Sequence, residues 1–297
     1  MNEIRKLLNK YAEKKYSQFG EDGILNEIFN RIDDSKLDKW CVEFGAKDGV
    51  FDSNTYNLIK NYNYSAVLIE SSFKYFKELE KNFTSKKIIK INKFVSFDGI
   101  NSLDNILNDT IIPKNFDFLS IDVDGCDYYI FENLNLFTPK VLAIEFNHLI
   151  PNEVDFIQKK DFNVKQGSSA KSIISLAKNK KYHLVANTMT NLFFVHENYK
   201  DDVEKEDIFL ETLRDDSDIK NLIFSTYDGT LFTTKPVDIS WHKMQIESDK
   251  FQILPKFLRK FPGDYNMFHR IFFYIFREIK FPGRFIKKIL KKKLFND

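Results

Sequence analysis

Two glycines four residues apart, Gly45 and Gly49, close the segment Trp40-Cys41-Val42-Glu43-Phe44-Gly45-Ala46-Lys47-Asp48-Gly49, and Glu43 stands two residues ahead of the first. An apolar run that breaks into glycine lets the backbone turn sharply and approach a ligand with no Cβ in the way. The middle glycine of a dinucleotide fingerprint is absent, so the turn is not shaped to admit a pyrophosphate. A carboxylate here suits a cationic or hydroxyl-bearing ligand. The nucleoside cofactor with an amine, a sulfonium and a ribose but no phosphate is S-adenosylmethionine.

Further carboxylates follow at the ends of later apolar runs. Glu70, after Val67-Leu68-Ile69, can accept both ribose hydroxyl protons; alternatively it favours the N-terminus of the next helix. Ser120-Ile121-Asp122-Val123-Asp124-Gly125-Cys126-Asp127 puts three carboxylates in six residues, which repel one another unless a cation, a ligand amine or solvent relieves them. Asp122 is placed to face a sulfonium and an acceptor hydroxyl, with Asp124 beside it. For Asp127 a turn or N-cap role before a helix at Tyr128 is the stronger reading, and Asp124 has the same alternative. Glu145, Asn147 and His148 end the next run. Asp122, Asp124, Glu145 and Asn147 would make an all-oxygen site for magnesium, though no spacing rule demands one. A hydroxyl acceptor needs a base, and Asp122 is preferred over His148. Against these roles, Asp122 could only orient the cofactor, and a lone histidine after a strand is commonly structural.

Such residues must be carried by a parallel sheet, whose crevice opens at the carboxyl ends of its strands. Strands are expected at 40–44, 66–70, 87–91, 116–122 and 141–146, alternating with helices at 54–60, 73–82, 102–108 and 128–134. A helix at 168–178 precedes two close runs, 183–186 and 191–196, which read as an antiparallel hairpin at the sheet edge. A helix at 207–213 follows, and Tyr227-Asp228-Gly229-Thr230, between 222–224 and 231–233, is a hairpin signal. The expected fold is α/β with helices on both faces, divided into a cofactor domain at 1–200, a helix and hairpin extension packed on it at 201–250, and a tail at 251–297.

The chain has 297 residues, 43% hydrophobic and 15% aromatic, enough for one large core plus an appendage. Its two cysteines, Cys41 and Cys126, support neither a disulfide framework nor a thiolate metal site. The opening residues 1–6 read as a polar helix, and no run approaches the roughly 20 apolar residues of a membrane span, so a cytoplasmic location is expected. The net charge of +2 hides an asymmetry: residues 251–297 hold 12 Lys and Arg against 3 Asp and Glu. There, 267–277 and 285–293 mix aromatic with basic residues, the pattern of amphipathic helices on an anionic membrane or of an ordinary solvated helical layer. No recognised nucleic-acid module accompanies this charge, so no nucleic-acid partner is expected.

Several words in one order carry a resemblance: Tyr16-Ser17-Gln18-Phe19-Gly20-Glu21-Asp22-Gly23-Ile24-Leu25, Val42-Glu43-Phe44-Gly45-Ala46-Lys47-Asp48-Gly49, Asp52-Ser53-Asn54-Thr55, Leu68-Ile69-Glu70 and Phe118-Leu119-Ser120-Ile121-Asp122-Val123-Asp124-Gly125. In these the chain resembles the FkbM-type family of S-adenosylmethionine-dependent methyltransferases, in detail over residues 11–197. The resemblance extends to Tyr227-Asp228-Gly229-Thr230 and Trp241-His242; the basic tail lies outside it. It implies a Rossmann-like class I sheet and methyl transfer to a hydroxyl, commonly of a sugar or glycan. By position it implies that Glu43, Gly45 and Gly49 hold the methionine end, Glu70 the ribose, and that Val95-Ser96 lie near the adenine, with Ala46, Asn54 and Ser71 counted beside them as cofactor-binding residues. Gln18, Glu21 and Asp22 would lie near the cofactor or close over it. Asp124 stands where the family commonly has Glu, a carboxylate with shorter reach.

Two rival classes make different predictions. A scaffold with a degenerate cofactor pocket, docked on membrane-associated glycan machinery, would be expected to have lost some of Glu43, Gly45, Gly49, Glu70 and Asp122, which are all present. A nicotinamide-dependent oxidoreductase would need the missing middle glycine.

Overall fold

A computed structural model describes residues 7–283; the expected helix at 1–6 and the basic run at 285–293 lie outside the described residues. Two compact units divide at Ile219–Lys220.

The first unit is built on seven strands, β1 (Trp40–Phe44), β2 (Ser65–Ile69), β3 (Ile88–Ile91), β4 (Phe118–Ile121), β5 (Val141–Glu145), β6 (Tyr182–Asn187) and β7 (Asn191–His196). Their order across the sheet is β3-β2-β1-β4-β5-β7-β6. The first five pair in parallel, and β7 runs antiparallel between β5 and β6. This is the Rossmann-like class I order that the resemblance implies, with the expected edge hairpin.

Strict alternation along these strands makes two cores. Val42, Val67, Leu119, Leu142 and Phe194 face one side, where α4 (Leu103–Asn108), α5 (Asp127–Asn133) and α6 (Ala170–Asn179) bury their apolar stripes. Cys41, Leu68, Phe118, Ala143 and Phe193 face the other, against α1 (Glu21–Arg31), α2 (Tyr56–Tyr62) and α3 (Phe73–Asn82). Near the carboxyl ends this second face turns polar. Glu43 is level with Ser120, and Glu145 with Asn191, while Glu70 and Asp122 continue the same alternation one residue past their strands.

Two single-turn helices, α7 (Lys200–Val203) and α8 (Leu210–Leu213), lie at the end of the first unit, α8 being all that forms of the helix expected at 207–213. The second unit holds the hairpin signalled by Asp228-Gly229, β8 (Ile223–Ser225) with β9 (Leu231–Thr233). A second pair, β10 (Val237–Ile239) with β11 (Met244–Ile246), has strands of three residues, too short to display an alternation in sequence. The unit also contains α9 (Met267–Lys280), within the tail.

Candidate cofactor and active site

The turn after β1 is shaped by its glycines. Gly45 has φ +69°, and a Cβ there would stand 2.9 Å from the carbonyl oxygen of Asp122, so the ends of β1 and β4 approach only because this side chain is absent. A Cβ on Gly49, φ +75°, would meet the Phe83 ring at 2.5 Å. Between them the Ala46 N–H donates to Ile69 and the Lys47 N–H reaches the Glu70 carboxylate at 2.8 Å. The other Glu70 oxygen accepts from the Ser72 N–H at 2.6 Å. Glu70 is thus buried and held by two backbone donors, and each of its oxygens keeps a further lone pair.

Glu43 is engaged differently from the expectation. Its Oε2 accepts from the Ser53 and Thr55 hydroxyls, both at 2.6 Å, and its Oε1 from the Asn54 N–H at 2.8 Å. Burial pushes its pKa up against these bonds. The Asn54 amide donates onward to Ser120 Oγ at 3.0 Å, so Glu43 and Ser120 stitch residues 53–55 to the ends of β1 and β4. The carboxylate therefore positions the loop, and Asn54 is the bridge.

The opening motif divides similarly. Gln18 and Ser71 are exposed. Glu21 is fully buried and accepts from Thr188 Oγ1 at 2.7 Å and Asn191 Nδ2 at 3.2 Å, tying α1 to the β6–β7 turn. Asp22 Oδ2 gathers the N–H groups of Lys15, Tyr16 and Ser17, while its buried Oδ1 has no protein partner. Ser96 is half-buried with its N–H bonded to Asn101, and the next residue, Phe97, stacks on Phe162 at 4.0 Å.

Three carboxyls meet at the ends of β4 and β5: Asp122, Asp127 and Glu145 present oxygens within 4.8 Å of one another. This is not the expected magnesium set. Asp124 takes a left-handed conformation, φ +53°, which turns its carboxylate outward to Lys165 at 3.7 Å. The Asn147 side chain is used by the Leu149 N–H and the Gln166 carbonyl. Asp127 replaces them, although it opens α5 and its oxygens accept from the Val123 and Gly125 N–H groups, closing the turn rather than capping the helix.

Crowding in this cluster decides who keeps a proton. Burial and the charges of Asp122, Asp127 and Asp124 push Glu145 up to about 10, so it is protonated at neutral pH and hydrogen-bonds to Asp122. Burial and Asp122 raise Asp127 to about 7. Asp122 keeps an exposed edge, yet the protein packed around its carboxyl, with Asp124 nearby, moves its pKa up as well. A cation entering here would be favoured and a phosphate repelled.

His148 lines a groove of about 430 Å³ together with Asn9, Thr188, Met189 and Arg214. Arg214 donates to the carbonyls of His148 and Ile150 and fixes this stretch. Burial and the Arg214 charge lower the His148 pKa, leaving a neutral imidazole at pH 7. Sequence reasoning missed Arg214 and Asn191, and missed Gln158, whose buried amide accepts from Gln166 and Gly167 and anchors the loop after β5 beside Cys126. No local motif marks these residues; only their long-range partners do.

No protein-family model and no curated protein matches the chain. Among solved structures it is similar to the CMeT domain of the citrinin polyketide synthase, at 10% identity and TM-score 0.40 over 59% of this chain and 51% of that one. It is similar to the CurJ carbon methyltransferase at 9% and 0.37, over 61% and 56%. The glycopeptide N-methyltransferase MtfA, complexed with S-adenosylmethionine, matches at 8% and 0.36, over 62% and 88%. The chain thus spans about half the length of the first two. Likenesses this distant say nothing of substrate, and the sheet order stands on its own hydrogen bonding.

Proposed function

We propose that the protein is an S-adenosylmethionine-dependent O-methyltransferase of the FkbM type that acts on a hydroxyl of a sugar or glycan. The observation that carries this reading is Glu70. It lies buried at the end of the second strand, is oriented by two backbone donors, keeps spare lone pairs for a ribose diol, and takes one of those donors, the Lys47 N–H, from the turn that Gly45 opens. The donor set suits this cofactor: carboxylates crowd the crevice, and the groups the turn offers are not a phosphate cradle.

When bound, the cofactor supplies an electrophilic methyl group on a sulfonium. Glu70 accepts from the ribose hydroxyls, and residues 53–55, held by Glu43, border the methionine end. Asp122, partnered by the protonated Glu145, is the group that takes the proton from the acceptor oxygen as the methyl group arrives in line. His148, neutral and lining the groove, is the alternative base. A magnesium ion, if one were used, would fall to Asp122, Asp127 and Glu145 rather than to the four residues expected.

Calorimetric titration with S-adenosylmethionine and S-adenosylhomocysteine tests the reading. Micromolar binding, roughly −8 kcal/mol, that is lost in Glu70→Ala is the expected result. Absence of binding to either ligand, with or without magnesium, would sink the enzyme and favour the scaffold.

A further inference from the structure

The second unit ends its described part in a helix whose apolar stripe is exposed. α9 has 14 residues and none is buried. Phe268, Ile271, Phe272, Ile275 and Ile279 recur at the spacing of one helical face, and each is 42% exposed or more. The partly covered residues are His269, Phe273, Phe276, Arg277 and Glu278, with Phe273 and His269 against the Tyr265 ring. A surface helix ordinarily turns its apolar stripe inward and its charges outward. Here the stripe faces water and is widened by Phe257, whose ring lies 6.0 Å from Phe272 and which Lys256 and Lys260, both exposed, flank.

We infer that this face of α9 with Phe257 docks the protein on an anionic membrane surface. The occupant is chosen by charge: residues 251–297 carry 12 basic against 3 acidic side chains, so an apolar face set in this segment matches a surface that is apolar within and negative without. A second copy would bring the same positive excess to the contact and be repelled. The helix would lie along the surface, since among the described residues no helix is long and apolar enough to cross a membrane. This inference is independent of the methyl-transfer reading.

Co-sedimentation of the full chain with vesicles tests it. The protein should pellet with phosphatidylcholine vesicles containing phosphatidylglycerol, stay in solution with pure phosphatidylcholine, and be released by salt. Ile271→Glu/Ile275→Glu should weaken binding about tenfold or more while the far-ultraviolet circular dichroism is unchanged, because both side chains point to water. Should that double variant misfold, Ile279→Glu at the open end of the stripe gives the same reading. Equal binding by a folded stripe variant, or none by the unaltered protein, overturns the inference. So does a lipid-free dimer that Ile275→Glu dissociates, which would assign the face to a second copy.

Discussion

Replacing Glu43 separates a residue that touches the cofactor from one that holds the loop beside it. In Glu43→Ala three donors lose their acceptor. The Ser53 and Thr55 hydroxyls lie 3.3 Å apart and can pair with each other, but the Asn54 N–H is left buried without a partner. An orphaned buried donor costs about 1–3 kcal/mol, and hydrogen bonds to a charged acceptor are worth about 1.5–3 kcal/mol each, partly offset by no longer burying a carboxylate. A net destabilisation of about 2–4 kcal/mol follows, with loosening of residues 53–55 and at least a tenfold loss of cofactor affinity. Glu43→Gln behaves differently. Its carbonyl oxygen keeps the Asn54 N–H and its NH2 group donates to the Thr55 hydroxyl, while Ser53 Oγ, which already accepts from the Thr55 and Tyr56 N–H groups, turns its O–H to Thr55 Oγ1, so stability should fall by about 1–2 kcal/mol and affinity by about threefold. Urea unfolding followed by circular dichroism, beside calorimetry with S-adenosylhomocysteine, measures both. If Glu43→Gln is as stable as the unaltered protein yet binds about a hundredfold more weakly, the carboxylate charge meets the cofactor amine directly and the positioning role is wrong.

Gly45→Ala forces a side chain into a left-handed residue against the Asp122 carbonyl, so it should cost at least about 1–2 kcal/mol and weaken cofactor binding; unaltered unfolding midpoint and affinity would refute the close approach of β1 and β4. Glu145 binds its proton more tightly folded than unfolded, since its pKa rises from 4.5 to about 10. Stability must then fall as pH climbs between those values, with Asp127 adding to the fall from 3.8 up to about 7. Glu145→Gln, which mimics the protonated form, should therefore be more stable than the unaltered protein at pH 8 by about 1–2 kcal/mol and little changed at pH 4.5; a less stable variant at pH 8 would contradict the proton assignment. Asp122→Asn should lower kcat about 10²–10⁴-fold with cofactor affinity nearly kept, and His148→Asn less than tenfold; the opposite ranking would move the base to His148.

What could be read in sequence was whatever the backbone period writes locally. Alternating apolar residues that stop at Glu43, Glu70, Asp122 and Glu145 mark strand ends, and in a parallel sheet those ends share one edge, so the acidic crevice follows from the strands alone. Which carboxylate faces the crevice is not a matter of period. Asp124 and Asp127 are three residues apart in one turn, and the positive φ at Asp124 sends the first to solvent while the second folds back on Val123 and Gly125. Asn147 was drawn off by Gln166, across a loop whose course no pattern announces. Glu43 shows the same limit in a more consequential form: its place in the motif suggested contact with a ligand, and its partners, ten to twelve residues on, give it the task of holding Asn54 against Ser120. Position in a motif is compatible with either role, because both need a buried acceptor at that strand end. Hydrogen-bond capacity distinguishes them, since Glu43 already has three donors whereas Glu70 has one per oxygen and room for a diol.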